Sequence, residues 1–156
     1  MDSIERLLGR FDGGRVLDVA TQQGRFAGVL AESLRTCGSV VGIDIEERFI
    51  DTARKSVANE NVSFSVMDAE HMGFEDESFD TACISASLHH MRHPGAVLQE
   101  MKRVLRPGGR FIVVEMYSDA ETEPELTSVL LHQWAAEVDS AIGRFHNRTM
   151  GRQQIE

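Results

Sequence analysis

The strongest constraint on the fold is an apolar run that ends on an acid and leads through a short loop into a helix. Residues 16–26 read Val-Leu-Asp-Val-Ala-Thr-Gln-Gln-Gly-Arg-Phe, which places Asp18 near the end of the run and Gly24 at the start of the helical pattern. A parallel strand presents a tight loop and a helix N-terminus to a ligand in this way. A second acid, Asp44, ends the apolar run Val40–Ile43 twenty residues after Gly24. This spacing predicts a nucleoside-binding α/β domain.

Nearly continuous apolar runs alternate with segments of helical periodicity along the chain. The predicted strands are Arg15–Val19, Val40–Asp44, Val62–Met67, Asp80–Ser85 and Arg110–Glu115, and the predicted helices between them are Phe26–Leu34, Arg48–Ala58 and Ala96–Leu105. Such runs are typical of strands that are covered on both faces of a parallel sheet. The alternation predicts a doubly wound α/β fold with a mostly parallel sheet and helices on both faces. Pro107-Gly108-Gly109 is expected to end the last of these helices and to turn the chain into the fifth strand.

Composition narrows the range of functions. The 156 residues are predicted to form a single domain over residues 1–156, and the net charge of −9 argues against a general nucleic-acid or anionic-membrane binder. Cys37 and Cys83 lie far apart and are expected to be plain thiols in a reducing compartment, with a disulfide or a nucleophilic cysteine as the alternatives. The N-terminus lacks the pattern of a signal peptide, and no apolar run approaches the length of a membrane span. We therefore expect a cytoplasmic protein.

Three acids and a serine fall at the predicted carboxyl ends of the first four strands: Asp18, Asp44, Asp68 and Ser85. Ligands of doubly wound sheets bind at this edge, where the strand order reverses. An acid after the second strand is suited to both ribose hydroxyls, and an acid after the third could accept a hydrogen bond from the adenine amino group. Each acid alone has an alternative role as a helix cap. Four polar residues in register favour a ligand site.

Two phosphate-binding patterns are missing. A nicotinamide dinucleotide enzyme needs G-x-G-x-x-G so that the pyrophosphate can approach the backbone, whereas the equivalent loop 20–25 offers only Gly24. No P-loop G-x-x-x-x-G-K-S/T occurs either. The loop therefore favours a nucleoside without phosphates, and a dehydrogenase is disfavoured.

Several segments then match one known family in order and spacing. They are Asp18-Val-Ala-Thr-Gln-Gln-Gly24, Val41-Gly42-Ile43-Asp44, Asp68-Ala69-Glu70-His71-Met72-Gly73-Phe74, Asp76–Asp80 with Ser85–His90, and Glu100–Gly109. Together they resemble class I S-adenosylmethionine-dependent methyltransferases, whose motifs read roughly D-x-G/A-x-G-x-G, an acid after the second strand, D-A-E-x-L-P-F and R-V-L-K-P-G-G. The resemblance covers residues 14–115 and is nearest to small-molecule enzymes of the ubiquinone-biosynthesis type.

The resemblance implies a Rossmann-like fold, S-adenosylmethionine as cofactor, and methyl transfer to a small-molecule acceptor by in-line displacement. Asp44 would bind the ribose hydroxyls and Ile45 would pack beside the adenine, whose edge would meet Asp68 and Ala69. Ser85 would receive the amino group of the methionine portion through its backbone carbonyl. The loop from Asp18 to Gly24 would hold the methionine portion, and the implied cofactor-binding residues within it are Asp18, Ala20, Gln22 and Gly24.

Two departures from the family pattern motivate a rival hypothesis. Gln22 replaces the central glycine of the first motif, where the backbone passes close to the cofactor and glycine accepts unusual φ and ψ. If φ is positive there, the strain is about 1–3 kcal/mol, equivalent to roughly one to two decades of affinity. The predicted sheet also lacks the antiparallel strand pair that ends the family fold, which suggests a truncated C-terminus. The alternative function is a degenerate methyltransferase-like binding or regulatory protein.

Histidines after the fourth strand invite a metal interpretation. Adjacent histidines such as His89 and His90, with His93 nearby, seldom converge on one ion, and no Cys or acid completes a set at ligand spacing. No metal is expected there. In the resemblance this segment borders the substrate pocket, so a general-base role for His89 or His90 stays open beside a structural one. No catalytic residue is assigned.

A long helix is predicted after Pro124, within a late segment spanning residues 122–145. Its apolar side consists of Leu126, Val129, Leu130, Trp134, Val138 and Ile142. The favoured interpretation is that this side packs on the sheet or on the early helix, with Trp134 as a packing anchor. The alternatives are a lid over the site, or an acceptor pocket lined by Trp134 and Met116-Tyr117.

Three further expectations concern the ends and edges of the predicted elements. Arg103 and Arg106 flank a helix C-terminus, where compensation of the helix dipole explains them. Residues 149–156 read like the start of another helix. The open edge of the fifth strand predicts a homodimer, because unpaired edge strands invite association.

Overall fold

A computed structural model describes residues 2–116, 118–119, 121–143, 145–149, 151 and 153, with the side chains of the first two described residues left aside. The helices are α1 (Asp2–Leu8), α2 (Arg25–Ser33), α3 (Glu47–Ser56), α4 (Pro94–Val104) and α5 (Glu123–Ala141), with a 3-10 turn at Leu88–His90. The strands are β1 (Asp12–Val19), β2 (Thr36–Asp44), β3 (Val62–Val66), β4 (Phe79–Ser85) and β5 (Leu105–Val114). All five predicted strands and all four predicted helices are present, and α1 is an addition.

The five strands form one parallel sheet in the order β3-β2-β1-β4-β5. Asp18 on β1 lies opposite Gly42 on β2 and Cys83 on β4. The strand order reverses between β1 and β4, so the carboxyl ends of these strands flank the point where doubly wound sheets bind ligands. No antiparallel strand pair occurs among the residues that the structure describes. The predicted fold class is confirmed.

Contacts divide the chain into two compact units. The first comprises Met1–Ser85 and Gly95–Val113, and the second comprises Ala86–Pro94 and Val114–Glu156. The single domain predicted for residues 1–156 stays a prediction. No helix in the described part of the chain is long and apolar enough to span a bilayer.

The core of the first unit lies where the apolar runs meet the helices. Its fully buried members include Val16, Leu30, Val40 and Ile50. Each such side chain contributes roughly 1.5–3 kcal/mol relative to an exposed one. These side chains come from β1, α2, β2 and α3, so their burial fixes how the two helices lie against the two strands that carry Asp18 and Asp44.

Strand bounds differ from prediction mainly at the amino ends. β1 begins at Asp12 rather than Arg15, β2 at Thr36 rather than Val40, and β5 at Leu105 rather than Arg110. These starting segments are polar or glycine-rich, and the pairing of Asp12 with Thr36 extends β1 and β2 beyond the apolar pattern. The turn predicted at Pro107-Gly108-Gly109 lies inside β5 instead, because α4 already ends at Val104, and Gly108 adopts a left-handed φ of 78° within the strand.

In the second unit, α5 begins where the sequence places it. Thr122 and Glu125 form a reciprocal capping box, and Pro124 occupies the first turn. The prediction of a buried apolar face on this helix is wrong. Of the six predicted side chains only Val129 is buried, and Trp134 is 65% exposed, so Trp134 is not a buried packing anchor. Periodicity identifies the apolar side of a helix without specifying what covers it. The lid remains a prediction, and Tyr117 and most of residues 149–156 lie outside the described residues.

Gly24, the N-cap of α2, has a left-handed φ of 79°, and a Cβ there would lie 2.6 Å from Phe64 Cζ and 2.9 Å from Ala53 Cβ. We expect Gly24→Ala to lower the free energy of unfolding by about 2–4 kcal/mol, combining left-handed strain with overpacking. Gly108→Ala is the matched control, since its φ is 78° and nothing lies within 4 Å of an added Cβ. Urea unfolding should show a loss of only about 1 kcal/mol for the control. Equal losses would contradict the packing argument.

Candidate functional site

Asp44 ends β2 at the centre of the candidate site. Its residue is only 7% exposed, and both carboxylate oxygens accept hydrogen bonds from backbone N–H groups. Oδ2 accepts from Gln22 at 2.9 Å, and Oδ1 accepts from Glu46 at 3.0 Å. A carboxylate has about four lone-pair positions, so each oxygen retains capacity for another donor. The adjacent Ile45 is 66% exposed and offers an apolar surface beside this carboxylate.

The loop between β1 and α2 is strained. Ala20 and Gln22 have left-handed φ values of 53° and 50°, a conformation that costs a residue with a Cβ about 1–2 kcal/mol. The Gln22 side chain is exposed, while its backbone N–H is bound by Asp44. Strained residues cluster at functional sites. Gln22 thus has the positive φ on which the predicted strain depends, and Ala20 has a positive φ as well.

Asp18 lies beneath this loop rather than on its surface. The residue is 1% exposed, and its carboxyl group accepts a hydrogen bond of 2.6 Å from the Thr21 hydroxyl and another from the backbone N–H of Ala27. Burial raises the pKa of Asp18 to about 7, and the negative charge of Asp44 adds to the rise against these two hydrogen bonds. Because Ala27 lies in the first turn of α2, Asp18 satisfies one of the free N–H groups at the start of this helix, although the N-cap itself is Gly24.

The segment after β3 carries the adenine-side candidates. Asp68 is exposed and Ala69 half-buried, and Asp68 Oδ1 accepts the backbone N–H of Glu70 at 2.9 Å. Asp68 Oδ2 lies 3.5 Å from His71 Nδ1. This turn leaves the Asp68 carboxylate at the surface, on the segment that follows β3.

Arg103 holds this segment in place, a role that the sequence analysis missed. Its guanidinium donates to the carbonyl oxygens of Met72 at 2.9 Å and Phe74 at 2.8 Å, and it pairs with Glu100 and Asp76. Glu100 Oε2 in turn accepts the Met72 N–H at 2.8 Å. Dipole compensation is thus an incomplete explanation of Arg103. The missed signal is an arginine on one helix facing a loop rich in carbonyl groups and acids.

Arg106 is likewise bound to particular partners. Its guanidinium donates to the Glu77 carbonyl at 3.1 Å and pairs with Asp80. Helix-dipole compensation therefore does not account for Arg106 by itself either.

Ser85 ends β4, as predicted. Ala86 follows it with a φ of 46°, a further non-glycine residue in the left-handed region. Cys37 is half-buried and Cys83 buried, and neither forms a disulfide within the described chain. Burial raises the pKa of both thiols, which disfavours a nucleophilic role and agrees with their interpretation as plain thiols.

In the second unit, His89 is buried against Glu115. The side chains are 3% and 2% exposed, and His89 Nδ1 lies 2.9 Å from Glu115 Oε1. Burial favours a higher pKa for Glu115, but the hydrogen bonds from His89 and from the backbone N–H groups of Met116 and Leu88 outweigh it and lower that pKa. For His90, partial burial and then the neighbouring imidazoles lower the pKa to about 4, which makes it a weak general base.

Two further histidines join His89, and the sequence analysis did not single them out. His132 on α5 and His146 beyond it stack or pack edge-on with His89, at ring-centroid distances of 4.5 and 5.4 Å. No spacing pattern could have revealed this group, because it depends on the path of the chain after α5. His93 does not belong to this group.

A doubly wound parallel sheet carries Asp44, Ile45 and Asp68 at its carboxyl edge beside a strained loop without a phosphate-binding glycine pattern. A methyltransferase domain family matches residues 10–150. The chain belongs to this methyltransferase domain family.

The relatives agree with this assignment. The chain is 35% identical to methyltransferase GfsG of Streptomyces halstedii over 133 residues, covering 81% of this chain and 47% of that protein. It is 35% identical over 105 residues to the ubiquinone/menaquinone biosynthesis C-methyltransferase UbiE of Cupriavidus pinatubonensis, covering 66% and 43%. A Bacillus halodurans protein described as a candidate methyltransferase superposes with a TM-score of 0.77 at 27% identity, covering 98% and 64%. The chain thus spans about half the length of these curated relatives.

The buried Asp18 generates a pH prediction. A carboxyl group whose pKa is raised in the folded state stabilises the fold below its unfolded pKa, and this contribution is lost as the pH rises through the folded value of about 7. We expect the free energy of unfolding to fall by roughly 2–3 kcal/mol between about pH 5 and about pH 8, and Asp18→Asn should remove this fall.

Urea unfolding at the two pH values measures the effect. Asp12→Asn is the control, because Arg35 and Thr36 lower the pKa of Asp12 to about 2, so that this group does not titrate in the window. An equal pH dependence in the wild type and Asp18→Asn would contradict the assignment.

Proposed function

We propose that this chain binds S-adenosylmethionine at the carboxyl edge of its sheet and transfers the methyl group to a small-molecule acceptor. The observation that carries the proposal is the Asp44 carboxylate, which holds the β1–α2 loop through the Gln22 N–H at 2.9 Å and stands beside the exposed Ile45. Family membership and the names of the relatives support it.

The residues after β2 and β3 would bind the nucleoside portion of S-adenosylmethionine. Asp44 would accept hydrogen bonds from both ribose hydroxyls, and carboxylate acceptors form stronger hydrogen bonds than neutral ones. Ile45 would cover one face of the adenine, and Asp68 would accept its amino group beside the Ala69 backbone. Arg103 would act as a positioning residue, because it fixes the carbonyl groups of the segment that follows Asp68.

The β1–α2 loop would bind the methionine portion of S-adenosylmethionine. Asp18, Ala20, Gln22 and Gly24 belong to the segment that would surround it, and the Ser85 carbonyl would accept its amino group. The cofactor supplies a methyl group on a positively charged sulfur, which is already a reactive donor. The chain then contributes mainly in-line positioning and exclusion of water, and a base is needed only where the acceptor must first lose a proton.

A second candidate function rests on Gln22. Its φ of 50° and its long side chain stand where the family uses glycine. If they weaken cofactor affinity, the chain would act as a binding or regulatory protein.

The homodimer through β5 and the cytoplasmic location stay predictions, as does the lid over 122–145. β5 is the last strand in the sheet order, which is consistent with a free edge.

Titration calorimetry with S-adenosylmethionine and S-adenosylhomocysteine tests the proposal directly. We expect binding of both, and Asp44→Asn should weaken it by roughly ten- to a hundredfold, because hydrogen bonds to a charged acceptor contribute about 1.5–3 kcal/mol. Asp51→Asn is the control, since Asp51 is an exposed acid on α3 paired with Arg54. The absence of any binding heat at millimolar ligand would refute the proposal for this chain.

Gln22→Gly separates the two candidate functions. If the Gln22 side chain obstructs the cofactor, its removal should raise the affinity tenfold or more, which corresponds to about 1.4 kcal/mol or more of binding free energy. Ala20→Gly is the matched control, because it relaxes a φ of 53° without removing a long side chain. An unchanged or weaker affinity in Gln22→Gly would show that Gln22 is accommodated, or that its amide contacts the cofactor.

A further inference from the structure

The second unit contains a group of histidines that methyl transfer does not explain. One nitrogen from each of His89, His132 and His146 lies within 4.8 Å of the other two. The three side chains come from the 3-10 turn, from α5 and from the segment after it. The segment is tied down by the backbone N–H of Asn147, which donates to the His89 carbonyl at 2.9 Å.

Two carboxylates orient two of these rings. Glu115 Oε1 lies 2.9 Å from His89 Nδ1, and Asp139 Oδ2 lies 2.8 Å from His146 Nδ1. A carboxylate can only accept, so both Nδ1 atoms carry hydrogen and donate. In the neutral imidazole this leaves the lone pair on Nε2. Metal-binding histidines have the same arrangement, in which a carboxylate fixes the tautomer and the ring orientation.

The inward-facing nitrogens lack ordinary partners. The His89 side chain is only 3% exposed. Its Nε2 is buried and has no hydrogen-bond partner among the residues that the structure describes. His146 Nε2 faces His132 Nε2 at 3.1 Å. Two imidazole nitrogens at that distance require either a proton or a cation between their lone pairs.

We propose that His89, His132 and His146 bind one divalent transition-metal ion through their Nε2 atoms, and that Zn²⁺ suits the site best. Imidazole is a preferred ligand of zinc, and three protein ligands with an open fourth position form a common zinc geometry. Tetrahedral bonds of about 2.0–2.1 Å require nitrogen separations of about 3.3 Å. The 3.1 Å pair is already near that value, and small ring movements would bring in the third nitrogen.

The fourth coordination position would take water or a small oxygen donor. His146 also lines a cavity of about 250 Å³ whose other lining residues are Arg92, Ser140, Gly143, Phe145 and Asn147. A small molecule in this cavity would lie against one ring of the metal group. All residues of the proposed metal site belong to the second unit.

Titration of metal-free protein without a histidine tag tests the proposal. Co²⁺ should produce the intense visible bands of a tetrahedral ion at one equivalent per chain, and Zn²⁺ should displace it. His132→Ala should weaken binding of both ions at least tenfold, and this half-buried residue is the least disruptive of the three to replace. His71→Ala is the matched control, because its side chain is 83% exposed and lies outside the group.

The orienting role of the carboxylates has its own variant. Asp139→Asn should weaken Zn²⁺ binding by about ten- to a hundredfold, while urea unfolding in chelator verifies that the variant folds. X-ray fluorescence and anomalous diffraction at the zinc edge should then place the ion within bonding distance of all three Nε2 atoms. No binding by the wild type, an ion seated elsewhere, or an affinity that His132→Ala leaves unchanged would overturn the proposal.

Discussion

Hydrogen bonds between the β1–α2 loop and the end of β2 hold the candidate cofactor site together. The Thr21 N–H donates to the Ile43 carbonyl at 2.9 Å, and the Gln22 N–H donates to Asp44 Oδ2 at 2.9 Å. Parallel pairing of β1 with β2 brings these groups to one edge, so the sheet register determines where the loop can be tied. The left-handed φ at Gln22 persists because this donor has an acceptor that the fold fixes in place.

The sequence predicted the sheet and its carboxyl edge because both depend on local patterns. Apolar runs specify buried parallel strands, and Asp18, Asp44 and Asp68 follow directly from where those runs end. The buried apolar face of α5 was predicted wrongly, since periodicity records which residues share a side and not whether another element covers them. The histidine group could not be predicted for a related reason. Its members meet only after the chain has turned back beyond α5.

Asp18 and Gln22 show how the surroundings of the β1–α2 loop stabilise it. Asp18 accepts the Ala27 N–H in the first turn of α2 and the Thr21 hydroxyl, yet burial raises its pKa to about 7, so it is partly protonated at neutral pH. A cationic ligand near this loop would favour the ionised form. The family's glycine would relax the backbone at Gln22, and a glutamine there indicates that the loop geometry is maintained by its surroundings rather than by residue preference.

The histidine group is difficult to explain as packing alone. A buried nitrogen without a partner, such as His89 Nε2, destabilises a fold by about 1–3 kcal/mol, and apolar side chains of similar size would fill the same space without that cost. Glu115 and Asp139 add two more polar groups that need hydrogen-bond partners, and each orients one ring by accepting a hydrogen bond from its Nδ1. If the rings served only as filler, their orientation would not need carboxylates. An ion held by the three Nε2 atoms would satisfy the unpartnered nitrogen, separate the facing pair and account for both carboxylates together.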